Sequence, residues 1–217
     1  MVIRLAEALE LPLRCRNALL LSAGYAPAYE ETAFHAPELD PVRAALMQIL
    51  EAHGPFPAVL TDRGANLVAG NAAFEALVQG VSPALRAPPV NVPRLLLDPR
   101  GLAPRILNLE TWGWHVIEAI RRVASRTAAP ALDALASELA PLLPARAHDP
   151  SPQDVGVAVP LRLRAPDGGG EWRLLTTLAH FGTATNVTLA ELTLEAFLPA
   201  DEPTLRALSV GPAPPSR

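Results

Sequence analysis

The chain has 217 residues, a formal net charge of −4 at pH 7 and an apolar half, a length that suits one domain of about 150–190 residues plus a small appendage and a composition that excludes general disorder. The acidic balance argues against a strong nucleic-acid surface built by this chain alone, since phosphate neutralisation needs a basic face. One cysteine, Cys15, excludes disulfide frameworks and cysteine-rich metal sites within the chain, and no stretch approaches the roughly 18 unbroken apolar residues of a membrane helix.

Met1-Val-Ile-Arg4 lacks the basic-then-apolar pattern of a signal peptide, so the expected compartment is the cytoplasm with no membrane partner. Two short helices follow. Val2, Leu5, Ala6 and Leu9 share one face of the first at i, i+3, i+4, i+7 spacing, and Leu13, Asn17, Leu20 and Leu21 one face of the second. Gly24 sits where a left-handed C-cap is wanted. Residues 25–39 have linker composition, and Asp40-Pro41 opens a helix to about His53 that should bury Val42, Ala45, Leu46 and Ile49. Pro57-Ala-Val-Leu-Thr61, the turn Asp62-Arg-Gly64 and Asn66-Leu-Val-Ala-Gly-Asn71 predict a β-hairpin, with Asn71 capping a short helix whose apolar face is Phe74, Leu77 and Val78.

The middle of the chain predicts helices. Residues 91–97 form a short one, ended by the type I turn Asp98-Pro-Arg-Gly101. Asn108 should cap a longer one to about Arg126, with Trp112, Val116, Ala119, Ile120 and Val123 inward, and a third buries Leu132, Leu135, Leu139 and Leu142. A polar, Pro-rich loop covers 146–156. Three strands then follow: Val157, Val159, Leu161 and Leu163 alternate inward, with Pro160 marking an edge or bulge. Asp167-Gly-Gly-Gly170 turns into a strand with Trp172, Leu174, Thr176 and Leu178 on one face, and 185–198 forms a last strand with Leu192, Leu194, Ala196 and Leu198 set against Glu191, Thr193 and Glu195.

Several stretches carry a family resemblance. The first thirty residues, ending Gly24-Tyr-Ala-Pro27, resemble the last two helices of an XRE-type helix-turn-helix domain as found in MmyB-like bacterial transcription regulators. Asn91-x-x-Arg94-Leu-Leu-Leu-Asp-Pro-x-Gly-Leu102-x-Pro-Arg105-Ile-x-Asn108, Leu161-Arg-Leu163, and Thr176-Thr-Leu-x-x-Phe-Gly-Thr183 running into Asn186-Val-Thr-Leu-Ala-Glu-Leu192 and Phe197-x-Pro-Ala-Asp201 are similar to the same family. The chain departs from it at Asp98, where the family commonly has His, and at Leu109, where it commonly has Trp. Two strands, a helical insert and three strands also resemble a PAS domain. The implied fold is α+β: a PAS-like five-stranded antiparallel sheet covered by helices, preceded by two helices left from the helix-turn-helix domain. The implied division is 1–27 helix-turn-helix remnant, 28–40 linker, 41–208 PAS-like ligand-binding domain, and 209–217 disordered tail.

The resemblance implies a regulator whose sensor domain holds a small, largely apolar molecule such as a fatty acid or similar amphiphile, with no other cofactor, and which works as a homodimer. DNA would be a partner only with an upstream helix-turn-helix segment restored. Arg4, Arg14 and Arg16 are the candidate phosphate contacts. Arg94 and Arg105 suit a carboxylate head group through paired hydrogen bonds, and His115 could donate to one. Trp112, Phe74, Thr176, Leu178 and Leu194 are candidate walls of a pocket between sheet and helices, although each has ordinary packing as its simpler role. Trp112 and Trp114 diverge by about 200° on a helix, so one should face the core and the other a loop or partner. No catalytic motif or spaced metal-ligand set occurs, so no enzyme and no metal site are expected. Three readings remain open: a full DNA-binding regulator with coding sequence upstream of Met1, a short sensor that dimerises with and titrates full-length relatives, and an enzyme or carrier on the same fold.

Overall fold

Two apolar layers meet at one sheet. The computed structural model describes residues 1–145, 159–166 and 170–209. Its strands are β1 (Ala58–Thr61), β2 (Leu67–Gly70), β3 (Leu161–Arg164), β4 (Glu171–His180) and β5 (Thr193–Pro199). They form a five-stranded sheet in the order β2-β1-β5-β4-β3, every neighbouring pair antiparallel. The last strand thus pairs with the first, and the helical insert lies between the two halves, as the PAS-like reading expects. The expected loop at 146–156, with His148 and Asp149, lies outside the described residues, as do Val157, positions 167–169 and the tail from 210.

The hairpin is set by its turn. Asp62 Oδ1 accepts from the backbone N–H groups of Gly64 and Asn66 at 2.8 and 2.9 Å, which folds the chain back so that Asp62 N–H reaches the Asn66 carbonyl. Asn71 then caps α4 (Ala72–Leu77) as expected, accepting from Phe74 N–H at 3.0 Å, while its amide donates to the Phe56 carbonyl at 2.8 Å. One side chain therefore joins hairpin and helix.

The inner face of the sheet packs on α4, α5 (Val92–Leu97), α6 (Leu109–Thr127) and α7 (Pro130–Leu139). Val59, Leu161, Leu163, Leu174 and Phe197 come from the strands and Phe74, Leu97, Trp112, Ile117 and Leu139 from the helices. Each fully buried side chain of this kind stabilises the fold by about 1.5–3 kcal/mol. The outer face carries Ala58, Leu60, Leu194 and Ala196 beneath Leu46 and Leu50 of α3 (Asp40–Ala52).

Five details differ from the sequence reading. In α3 the buried residues are Leu46 and Leu50, whereas Val42 and Ile49 are exposed and Asp40 pairs with Arg43 from inside the helix rather than capping it. In α6 Ile117 and Ala124 are buried and Val123 is exposed, while Val116 is partly buried against the inner core. Asn108 stands at the N-cap of α6 but does not cap it; it bridges to the edge strand, donating to Pro160 O at 2.9 Å and accepting from Arg162 N–H at 3.0 Å. Leu142, expected inside, is exposed on a single 3-10 turn after α7. The stretch 185–198 is not all strand: Asn186 accepts from Thr188 and Leu189 N–H and starts α8 (Val187–Ala190) before β5.

At the N-terminus, α1 (Val2–Ala8) and α2 (Leu13–Ser22) are present. Gly24 has φ +81° and ends α2 with a paired 6→1 and 5→2 closure, Tyr25 N–H to Leu20 O and Gly24 N–H to Leu21 O. The expected apolar face of α1 is largely uncovered: Ala6 is buried, but Leu5 and Leu9 are exposed. At the other end, α9 (Glu202–Ser209) follows β5 and is fastened to β4 through Thr204, whose hydroxyl accepts from Arg173 N–H at 2.9 Å.

Candidate functional site

Strand register assigns each sheet residue to a face. Val59 pairs with Glu195, Glu195 with Leu178, and Phe197 with Thr176. Val59 and Phe197 lie in the inner core, so Glu195, Thr176 and Leu178 occupy the inner face as well. Across the row Val59, Glu195, Leu178 the cover falls away: Val59 is fully buried, Glu195 half-buried, and Leu178 59 % exposed. The inner face is therefore closed over β1 and open at the far end of β4.

Two polar groups stand on that apolar surface. Thr176 Oγ1 is buried and has no hydrogen-bond partner. Glu195 is pushed up to about 7 by desolvation alone. They are diagonal cross-strand neighbours, about 7–8 Å apart between α-carbons. Alternation in the sequence sets Glu195 against Leu194, a candidate pocket wall, yet Leu194 packs on the outer face with α3. Leu194 and the pair Thr176 and Leu178 thus stand on opposite faces. The available signal was a glutamate in the last strand, which the PAS-like order places between the first hairpin and β4.

The other candidate residues are dispersed. Arg94 is held by Glu138 through two parallel bonds at 2.8 and 2.6 Å, and the carboxylate raises the pKa of the guanidinium. Arg105 is half-buried and donates to carbonyls, those of Leu77 at 3.1 Å and Arg164 at 3.2 and 3.3 Å; burial lowers its pKa. Trp112 is a core residue, whereas Trp114 reaches the Pro144 carbonyl at 3.0 Å, the expected division between core and loop. His115 lies on the exposed side of α6, and desolvation by the surrounding chain, followed by the Arg122 charge, lowers its pKa. Phe74 is buried against Gly70 and lines a small cavity of about 110 Å³ with Leu67, Val78, Val90 and Leu95.

Of the candidate phosphate contacts, Arg4 is exposed. Arg14 binds Glu191 and Glu31, and Arg16 donates to Leu11 O and Tyr29 Oη with its guanidinium over the Tyr29 ring. A cavity of about 640 Å³ opens beside Arg14, between α2 and residues 27–31. Among the described residues no three His, Cys, Asp or Glu side chains cluster as metal ligands, and no helix is long and apolar enough to cross a membrane.

The model of one protein family, the MmyB-like transcription regulator ligand binding domain, matches residues 42–210. The chain belongs to that family. The matched region of this MmyB-like domain begins within α3 and includes the whole sheet, so Thr176 and Glu195 lie inside it. No curated protein matches the chain. Among solved structures it is similar to one titled "Structure of an RNA-binding Light-Oxygen-Voltage Receptor", at 18 % identity and a TM-score of 0.34 over 91 % of this chain and 47 % of that one. The MmyB-like chain thus spans about half the length of that structure.

Proposed function

We propose that this chain is the sensor part of a cytoplasmic transcription regulator, that it binds a small, largely apolar molecule on the inner face of its sheet, and that occupancy is passed to a DNA-reading domain. The observation that carries the reading is the row Val59, Glu195, Leu178, where an apolar layer passes from full cover to solvent within three strands. Small-molecule sites are lined mostly by apolar side chains with a few placed polar groups, and the inner face has that composition. The family match supports a regulator's sensor domain. The ligand would act only through its different affinity for two arrangements of the domain.

Ile3, Leu5, Leu9 and Leu21 expose apolar side chains on α1 and α2, which suits cover by further helices of a DNA reader or by a second copy in a homodimer. A second reading, a sensor that makes no DNA contact of its own and titrates full-length regulators, is favoured by one observation. Arg14 and Arg16 use their guanidinium groups within the chain rather than presenting them to phosphate.

The test is to purify the chain from cells, denature it and identify any released small molecule by mass spectrometry. A stoichiometric amphiphile supports the sensor reading. An empty protein that shows no thermal shift with added amphiphiles sinks it.

A further inference from the structure

We propose that Thr176 and Glu195 form the polar end of the ligand site, and that the site takes an amphiphile whose head group is uncharged or cationic and carries an N–H or O–H donor. The proposal rests on the sensor reading above and specifies its ligand.

Thr176 pairs with Phe197 and Glu195 with Val59 and Leu178, so each sits among apolar neighbours on the inner face. A buried hydroxyl without a partner is uncommon in a folded protein, because the desolvation of the group is uncompensated. A ligand atom is one way to compensate it. The hydroxyl can donate or accept, and the carboxyl can accept when ionised or donate when protonated. Together they match an amide head, whose C=O accepts from Thr176 and whose N–H donates to Glu195, and they also suit an alcohol or an amine.

The same surface argues against an anionic head. The inner-face positions fixed by register are Leu161, Leu163, Trp172, Leu174, Thr176, Leu178 and His180 on β3 and β4, and Val59, Thr61, Thr193, Glu195 and Phe197 on β1 and β5. None is Arg or Lys. His180 turns to Thr193, with 3.2 Å between Nδ1 and the hydroxyl. Desolvation raises the Glu195 carboxyl above its ordinary value, and no basic group among the described residues offsets it. The candidate arginines are elsewhere: Arg94 is neutralised by Glu138 and Arg105 is fastened to carbonyls. A fatty-acid carboxylate placed here would meet another acid and, among the described inner-face strand positions, no arginine or lysine, which costs binding in a low-dielectric site. An uncharged head has no such cost, and its tail can run from Thr176 along the apolar inner face.

The experiment compares four twelve-carbon probes, dodecanamide, dodecanol, dodecylamine and dodecanoate, titrated calorimetrically at pH 8 into the full chain and its Thr176→Val and Glu195→Gln variants. Valine preserves the shape of threonine and glutamine that of glutamate, so circular dichroism should report folded proteins throughout. Dodecanamide is expected to bind the native chain at least about tenfold more tightly than dodecanoate. Thr176→Val should weaken dodecanamide about fivefold or more, and Glu195→Gln should narrow the discrimination against dodecanoate and remove any advantage of the amine. Dodecanoate binding best, with both variants indistinguishable from native, would overturn the site while leaving the sensor reading intact. Binding of none of the four overturns both.

Discussion

Glu195 is the residue whose environment is furthest from what its type prefers. An ordinary glutamate titrates near 4.5, and this one is held up to about 7 by desolvation. The folded chain therefore binds that proton more tightly than the unfolded chain does. Linkage makes its contribution fully present below about pH 4.5 and progressively lost as pH rises to about 7. A displacement of that size corresponds to at most about 3 kcal/mol, which water reaching the half-buried side chain reduces to about 1–2 kcal/mol. Glu195→Gln removes the titration and keeps the shape. Urea midpoints measured from pH 4.5 to 8 should show the variant gaining on the native protein by that amount, with most of the gain complete by about pH 7. A difference between the two proteins that stays flat across the range would mean that Glu195 is well solvated in the fold.

Whole elements are fixed by a few special backbone positions, and the turn after α5 is the clearest. Gly101 N–H donates to Asp98 O at 2.8 Å, and a Cβ at Gly101 would lie 2.2 Å from the Leu95 carbonyl oxygen, on rigid helix backbone. Gly101→Ala must move α5 away from its own turn, and α5 carries Leu95, Leu96 and Leu97 into the core. A loss of about 2–4 kcal/mol is expected in chemical denaturation, against about 1 kcal/mol or less if the turn could simply relax. This element was legible, because Asp, Pro and Gly at their type I positions state the turn chemistry outright. So were the Asn71 cap and the closure at Gly24. The buried faces of α3 and α6 were less so. Apolar residues on these helices occupy more than one stripe, and which stripe faces inward depends on where the sheet lies: Leu50 and Ala124 won over Ile49 and Val123. Asn108 was misassigned for a related reason, since an amide that can cap a helix can equally bridge to a neighbouring strand, and only the placement of β3 decides. The site suffered most. Alternation separates the two faces of β5 but does not say which layer each one meets, so the sequence offers Leu194 as a pocket wall and does not single out Glu195.

At the scale of the molecule, the question is how the inner face could communicate with α1 and α2. Arg14 on α2 makes a fork, bonding Glu191 at 2.6 and 2.8 Å and Glu31 at 2.5 and 2.9 Å. Glu191 stands between α8 and β5, four positions before Glu195 on the same run of chain. The segment between is tied down in parallel: Asn17 holds the backbone of Ala28 and Tyr29, the Glu30 carbonyl accepts from Val187 N–H at 2.8 Å, and Asn186 donates to Thr32 Oγ1 at 2.9 Å. A shift of β5 on ligand binding would thus reach α2 through one arginine and a short strap. An exposed ion pair alone contributes about 0–1 kcal/mol, but a guanidinium with two bidentate carboxylates is worth somewhat more. Arg14→Ala should leave global stability within about 1 kcal/mol, since no core residue is lost. Its effect should be local: hydrogen exchange at the α2 amides 16–21 accelerating about tenfold while β1 and β5 keep native protection. Equal acceleration in α2 and the sheet would mean that the helices and the sensor open as one unit, whereas no acceleration would leave the Asn17 strap as the main fastening. If the expected pattern is found, the fork is where ligand occupancy should be read: addition of a bound amphiphile would change α2 exchange in the native chain and leave it unchanged in Arg14→Ala.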